Sequence, residues 1–121
     1  MRKEKDLPKV TEEWGWKYHH LGIPTKEIRN GEVYIPSFKF FVSGFPSSPF
    51  GIEWMRFEQD SPMHPLIQQQ PHLAFVVENL DEELEKHGFK LLNPLNSPME
   101  GVRVAMIEIE GAPIELMEFC E

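Results

Sequence analysis

Apolar residues along the chain fall into short runs separated by Pro, Gly, Asn and Ser, and two of these runs occur twice in the same order. His20-Leu21-Gly22-Ile23 returns as His72-Leu73-Ala74-Phe75, and Gly51-Ile52-Glu53-Trp54-Met55-Arg56-Phe57 returns as Pro113-Ile114-Glu115-Leu116-Met117-Glu118-Phe119. All four phrases are short, rich in β-branched and aromatic residues and bounded by turn formers, so they read as β-strands. Strand side chains alternate between faces. That rule predicts Trp14, Trp16, Tyr18, His20 and Gly22 on one face of the first strand, and His72, Ala74 and Val76 on one face of its repeat. It also sets Glu53 beside Met55 and Phe57, and Glu115 beside Met117 and Phe119.

The second half carries the clearer local signals. After a strand over 72–78, Asn79 with Glu82 three residues on suits a helix start, Leu80 and Leu84 supply a buried stripe, and Gly88 after His87 suits a left-handed helix end. A helix over 80–87 is therefore expected, followed by strands at Lys90 to Leu92, Arg103 to Glu110 and Pro113 to Phe119. The last two are joined by a tight Glu110-Gly111-Ala112 turn, which makes this half β-α-β-β-β. In the first half only Thr25 to Glu32 lie where the matching helix belongs, barely two turns. Asn30-Gly31 marks a turn, and Tyr34 to Ser43 with Gly51 to Glu58 reads as a strand pair around the loop GFPSSPFG. Gln68-Gln69-Gln70-Pro71 reads as the linker between halves.

At 121 residues the chain has the length of one domain, here 1–121, with a first module over about 14–67 and a second over about 71–120. A hydrophobic fraction of 40% and a charged fraction of 26% are those of a soluble protein, and no apolar run approaches bilayer-spanning length. The net charge of −8, with Lys and Arg scattered, argues against nucleic acid as a partner. The basic N-terminus MRKEKDLPKV has no apolar segment behind it and does not read as a secretory signal, so the expected compartment is the cytoplasm. Cys120, the single cysteine, sits beside the last residue and is given no role.

A carboxylate on the same strand face as Met and Phe is either at a pocket rim or removed from water, and removal costs several kcal/mol unless something compensates. A divalent metal compensates well. Two neutral imidazoles and two carboxylates neutralise a doubly charged ion and leave coordination positions open for water or substrate. Taken singly, His20, Glu53, His72 and Glu115 would each read as a hydrogen-bonded or half-exposed polar group; their joint recurrence at matched positions points to coordination. The ligand mixture suits Zn, Ni, Co, Mn or Fe(II).

The other histidines read as structural or solvated. His19 should face away from His20, His64 lies in a Pro-bounded loop, and His87 ends the helix, where its charge suits the helix C-terminus. Glu108, Glu110 and Glu118 read as a solvated or helix-flanking face. Trp14, Trp16, Trp54, Phe38, Phe40 and Phe41 read as core or pocket wall.

The repeated strand phrases, the β-α-β-β-β half and the order His, Glu, His, Glu together resemble the vicinal oxygen chelate superfamily, over residues 16–119. That superfamily includes glyoxalase I, methylmalonyl-CoA epimerase, extradiol dioxygenases and the bleomycin and fosfomycin resistance proteins. The resemblance implies an α+β fold of two βαβββ-type modules, the first lacking most of its helix, curled into a cupped and partly open mixed β-barrel. It implies that His20 and His72 supply the first-strand ligands and Glu53 and Glu115 the last-strand ligands. Glu at both carboxylate positions is most similar to bacterial glyoxalase I; epimerases often carry Gln in the first half, and dioxygenases use two His and one Glu.

The implied activity is that of a glyoxalase-like lyase or isomerase. In it, a metal chelates two adjacent oxygens of a small-molecule substrate and stabilises the enediolate formed on proton loss, with Glu115 or Glu53 as base. The alternatives are a metal-dependent dioxygenase, a protein of the bleomycin-resistance type that binds small molecules without turnover, and a partner-binding domain with a filled cup. One chain carries all four ligands, so a monomer or a homodimer could complete the site.

Overall fold

In the computed structural model, which describes residues 2–120, the four repeated phrases form β1 (Lys17–Pro24), β4 (Ile52–Phe57), β5 (His72–Val76) and β9 (Ala112–Phe119). β1 pairs in parallel with β4 and β5 in parallel with β9, in the same register. Leu21 opposes Ile52 as Leu73 opposes Ile114, and Gly22 opposes Glu53 as Ala74 opposes Glu115. The two modules then join edge to edge through antiparallel pairing of β1 with β5.

β2 (Val33–Ile35) and β3 (Phe40–Ser43) extend the first module; β6 (Lys90–Leu91), β7 (Asn96–Met99) and β8 (Val102–Ile109) extend the second. The sheet runs β2-β3-β4-β1-β5-β9-β8-β6, with β7 also paired to β8. It is mixed and curled into a half-barrel, the α+β cup expected from the sequence. Period-two alternation gives it two apolar faces. Met55, Val104, Met106 and Met117 point into the concave side, while Ala105, Ile107 and Leu116 point to the convex side and bury Trp16, Val77 and Leu80 with them.

The second module is built as its local signals predict. α3 spans Leu80–His87, Asn79 Oδ1 accepts the Glu82 N–H at 3.0 Å, and Gly88 closes the helix at φ 63°. Glu118 flanks the helix start, accepting from the Leu80 N–H and from Arg103. Glu110 and Gly111, at φ 50° and 87°, form the left-handed pair that a tight β8–β9 hairpin requires. β7 is an addition not foreseen, an edge strand in which Pro98, having no N–H, leaves one donor fewer to satisfy.

The first module departs from expectation in three places. Tyr34 to Ser43 is a hairpin and not one strand: Pro36 ends β2, Lys39 turns at φ 51°, and Ile35 pairs with Phe40. Residues 25–32 hold no helix, in keeping with the expected loss of the first-module helix, and the second departure is where helix does appear, as α1 (Lys9–Glu12) and α2 (Pro65–Gln69). α2 takes Gln68 and Gln69 out of the supposed linker, because Pro65 suits a first helical position and His64 Nδ1 accepts the Leu66 N–H at 3.0 Å. Among the described residues no helix is long and apolar enough to cross a membrane.

The third departure is in β1. A register shift between Tyr18 and His20 breaks the alternation, so Trp16 packs on the convex face with Leu80 while His20 points into the cup. Tyr18 is exposed, its hydroxyl donating to the Phe50 carbonyl. The predicted single face of Trp14, Trp16, Tyr18, His20 and Gly22 is therefore corrected by a β-bulge, which inserts one residue and turns the strand beyond it.

Candidate metal centre

The shared register explains why the residues of the repeat face one another: His20, His72 and Glu115 gather into one cluster, and Glu53 stands beside His20, outside that trio. In each module the Glu on the last strand stands opposite the residue two positions beyond the His on the first strand, so both side chains lie on the concave face. Antiparallel pairing of β1 with β5 then sets Gly22 opposite His72 and Ala74 opposite His20. Each imidazole thus faces a residue with little or no side chain. At Gly22 this is obligatory, since a Cβ would lie 2.3 Å from His72 Cε1.

His72 Nε2 lies 2.9 Å from Glu115 Oε1, and His20 Nε2 lies 3.4 Å from the same oxygen and 3.3 Å from Glu53 Oε2. One ligand atom from each of His20, His72 and Glu115 falls within 4.8 Å of the others. Bonds of about 2.0–2.1 Å to a tetrahedral ion would set its ligand atoms roughly 3.4 Å apart, close to these separations. His20 Nε2 is buried and reaches hydrogen-bond alignment with neither carboxylate, and His72 Nδ1 is buried without a partner. A buried nitrogen aimed at two carboxylates but bonded to neither is a poor hydrogen-bond arrangement and a good metal-ligand one.

The two carboxylates differ. Burial pushes Glu115 toward its neutral form, but the imidazoles of His20 and His72 outweigh it and hold the group well below the usual carboxylate range. Glu53 goes the other way: burial and the nearby charge of Glu115 raise it, opposed by His20 and His72. For His20, burial favours the neutral ring, and the adjacent Glu115 and Glu53 prevail to raise it. Glu115 is thus a fixed anion gripped by two rings, while Glu53 is the more exposed, at 21% of its side chain against 12%, and the more easily protonated.

His19 is the residue that strand alternation misplaces. The bulge turns it to the same side as His20, where it lines the cup, stacks on Phe45 at 5.1 Å between ring centres and brings its Nδ1 to 2.7 Å from His20 Nδ1. One ring must donate there. If His20 Nδ1–H is the donor, its Nε2 keeps the lone pair that faces the carboxylates. Burial and then the charge of His20 lower the His19 pKa, against a smaller opposing effect of Glu115.

The remaining histidines are structural: His64 caps α2, and His87 bonds Glu83 at 3.1 Å, stacks on Phe89 and packs at a tilt against Trp14. Phe38 and Phe40 line the cup. Trp54 and Phe41 lie on the convex side beneath Arg29 and Arg56, and Trp16 is in the convex core. A cavity of about 300 Å³ opens beside His20, Glu53 and Glu115, while His72 is fully buried behind them and does not line it.

No family model matches the sequence, and no curated protein matches it. Among solved structures the chain is similar to a hypothetical protein from Bacillus halodurans (TM-score 0.68, 20% identity, 88% of this chain and 96% of that one). It is also similar to methylmalonyl-CoA epimerase from Mycobacterium tuberculosis (TM-score 0.59, 20% identity, 87% and 89%). At such identities the likeness is one of fold. Two modules of matched register, joined edge to edge into a cup, give this chain the fold of those two structures, the cupped α+β architecture that its resemblance to the vicinal oxygen chelate superfamily implies.

Proposed function

We propose that the protein is a metal-dependent, glyoxalase-like lyase or isomerase that moves a proton on a carbon beside an oxygen-bearing carbon of a small molecule. The observation that carries this reading is the convergence of His20, His72 and Glu115, with Glu53 against His20, at the head of an open cavity. In this reading His20, His72, Glu115 and Glu53 hold one divalent ion. What that ion supplies when bound is positive charge for two adjacent substrate oxygens.

The chain's own groups divide the remaining work. Glu115, held between two imidazoles, stays deprotonated and fixed. Glu53 pairs with His20 outside the tight trio, borders the cavity and is the more exposed of the two carboxylates, so it is the group that takes the substrate proton and returns it. His19 braces His20 through the Nδ1 contact. The apolar walls keep water from the reacting carbon.

Deuterium exchange tests this directly. Protein loaded with Zn, Ni, Co or Mn should wash deuterium from solvent into hemithioacetals or oxo-thioesters at the carbon beside the carbonyl. Glu53→Gln should cut the rate by about 100-fold or more, the usual scale of a lost general base. No exchange with any of these metals sets the reading aside.

A second reading rests on the tight trio alone. Two His and one carboxylate are the ligand set of non-haem iron oxygenases. Under it, protein loaded with Fe(II) would consume dioxygen with a catechol and show no exchange with the other metals.

A further inference from the structure

We infer that the cup takes an uncharged ligand with a compact apolar body, and rejects molecules that carry an anionic group into the cavity. The inference rests on the reading that the His and Glu cluster marks the ligand site. It concerns the other end of the ligand.

The chain has 12 Lys and Arg residues, and none of them lines the cavity. Among the described residues its only titratable lining groups are His19, His20, Glu53 and Glu115, all at the metal end. A divalent ion there would be matched by the two carboxylates, leaving no surplus positive charge. A carboxylate or phosphate inside would be stripped of water with no cation to receive it, under the field of a chain of net charge −8.

The walls specify the body. Phe38, Phe40, Phe45 and Phe119 supply flat apolar surface suited to a ring or a branched alkyl group. Five of the chain's six methionines, Met55, Met63, Met99, Met106 and Met117, line this one cavity. Methionine is the most adaptable apolar side chain, so their concentration here favours tolerance among bodies of differing shape over one tight fit. The cavity of about 300 Å³ holds about ten volumes the size of a water molecule, at ~30 Å³ each. The contents are then a single substituted ring or its aliphatic equivalent. Among the described residues Asn96, on β7, is the one neutral amide or hydroxyl side chain in the lining.

A matched pair of probes tests this by calorimetry. tert-Butylcatechol and protocatechuate present the same two adjacent oxygens, and differ in a neutral alkyl group against a carboxylate. The neutral probe should bind about tenfold or more tightly than the anion to zinc-loaded protein, and the preference should persist in protein stripped with chelator. Met99→Lys, which sets a cation at an exposed cavity position, should raise affinity for protocatechuate and narrow the ratio. Equal or tighter binding of protocatechuate by the wild type would overturn the inference, as would binding of neither probe. The two readings fail separately. A protein that binds no zinc yet keeps the preference loses the metal, while one that binds zinc without the preference loses only the ligand class.

Discussion

The two halves of the sheet place their His and Glu by the same register but cover their convex faces by different means. In the second module α3 lays Leu80 onto Ala105, Ile107 and Leu116, all four fully buried, as a conventional apolar layer. In the first module the Thr25–Glu32 loop takes the helix's place. Arg29 lies over Trp54 at 4.9 Å, and Arg56 lies over Phe41 at 4.2 Å while Glu32 grips its guanidinium with two bonds of 2.8 Å. One module is closed by burial, the other by cations lying on aromatic rings. The concave face tolerates either because the ladder, not the convex cover, sets where the site residues point.

The largest effect expected from this contrast is in the apolar layer. Leu80→Ala should lower unfolding free energy by ~2–5 kcal/mol in urea titrations, the range for a large-to-small change in a tight core. Trp54→Ala, on a half-buried ring, should cost clearly less; equal losses would mean that the loop is as firm a cover as the helix.

Next comes the seam between modules. Gly22→Ala must push the His72 ring aside, at an overpacking cost of ~1–3 kcal/mol, and should abolish tight binding of a divalent ion. Its counterpart Ala74→Gly removes a methyl facing His20. It should cost about 0.5–1 kcal/mol in a strand and keep the ion. Zinc calorimetry alongside melting curves reads both, and similar zinc affinities in the two variants would refute the steric argument.

A pH series sharpens the same point. With its pKa raised from 6.5, His20 stabilises the metal-free fold below pH 6.5, and that stability is lost as pH rises through the folded value. Glu53, raised from 4.5, acts in the same direction from pH 4.5 upward, while the depressed Glu115 contributes above pH 4.5 and is lost only in acid. The melting point of metal-free protein should therefore fall on going from pH 6.5 into the alkaline range, while the increment from added zinc grows as protons stop competing for the ligands. A metal-free melting point that climbs over that range contradicts the arrangement. The smallest effect belongs to the loop cover: Glu32→Gln should lower the melting point by less than Leu80→Ala does, and high salt should shrink the difference.

How far each half could be read beforehand follows from the same contrast. α3 announced itself because Asn79 and Gly88 act through their own backbone neighbours, and Glu110-Gly111 did so for the last hairpin. Nothing local marks the bulge in β1. It arises where β1 must match β5, and it turns both His19 and His20 to the cup against the rule that neighbours face apart. The arginines over Trp54 and Phe41 are likewise unreadable, because a loop's course over a sheet depends on contacts distant in sequence. His20, Glu53, His72 and Glu115 stood out because they repeat. Gly22 stood in the same phrase, yet its purpose appears only once β1 is known to oppose β5 at His72.

Zinc titration of the wild type and of His72→Ala by calorimetry reaches the central proposal most directly. One ion per chain for the wild type, with affinity reduced by about 100-fold or more in the variant, is the result expected of a site that loses one of its buried ligands. Zinc bound equally well by both proteins, or by neither, would contradict it.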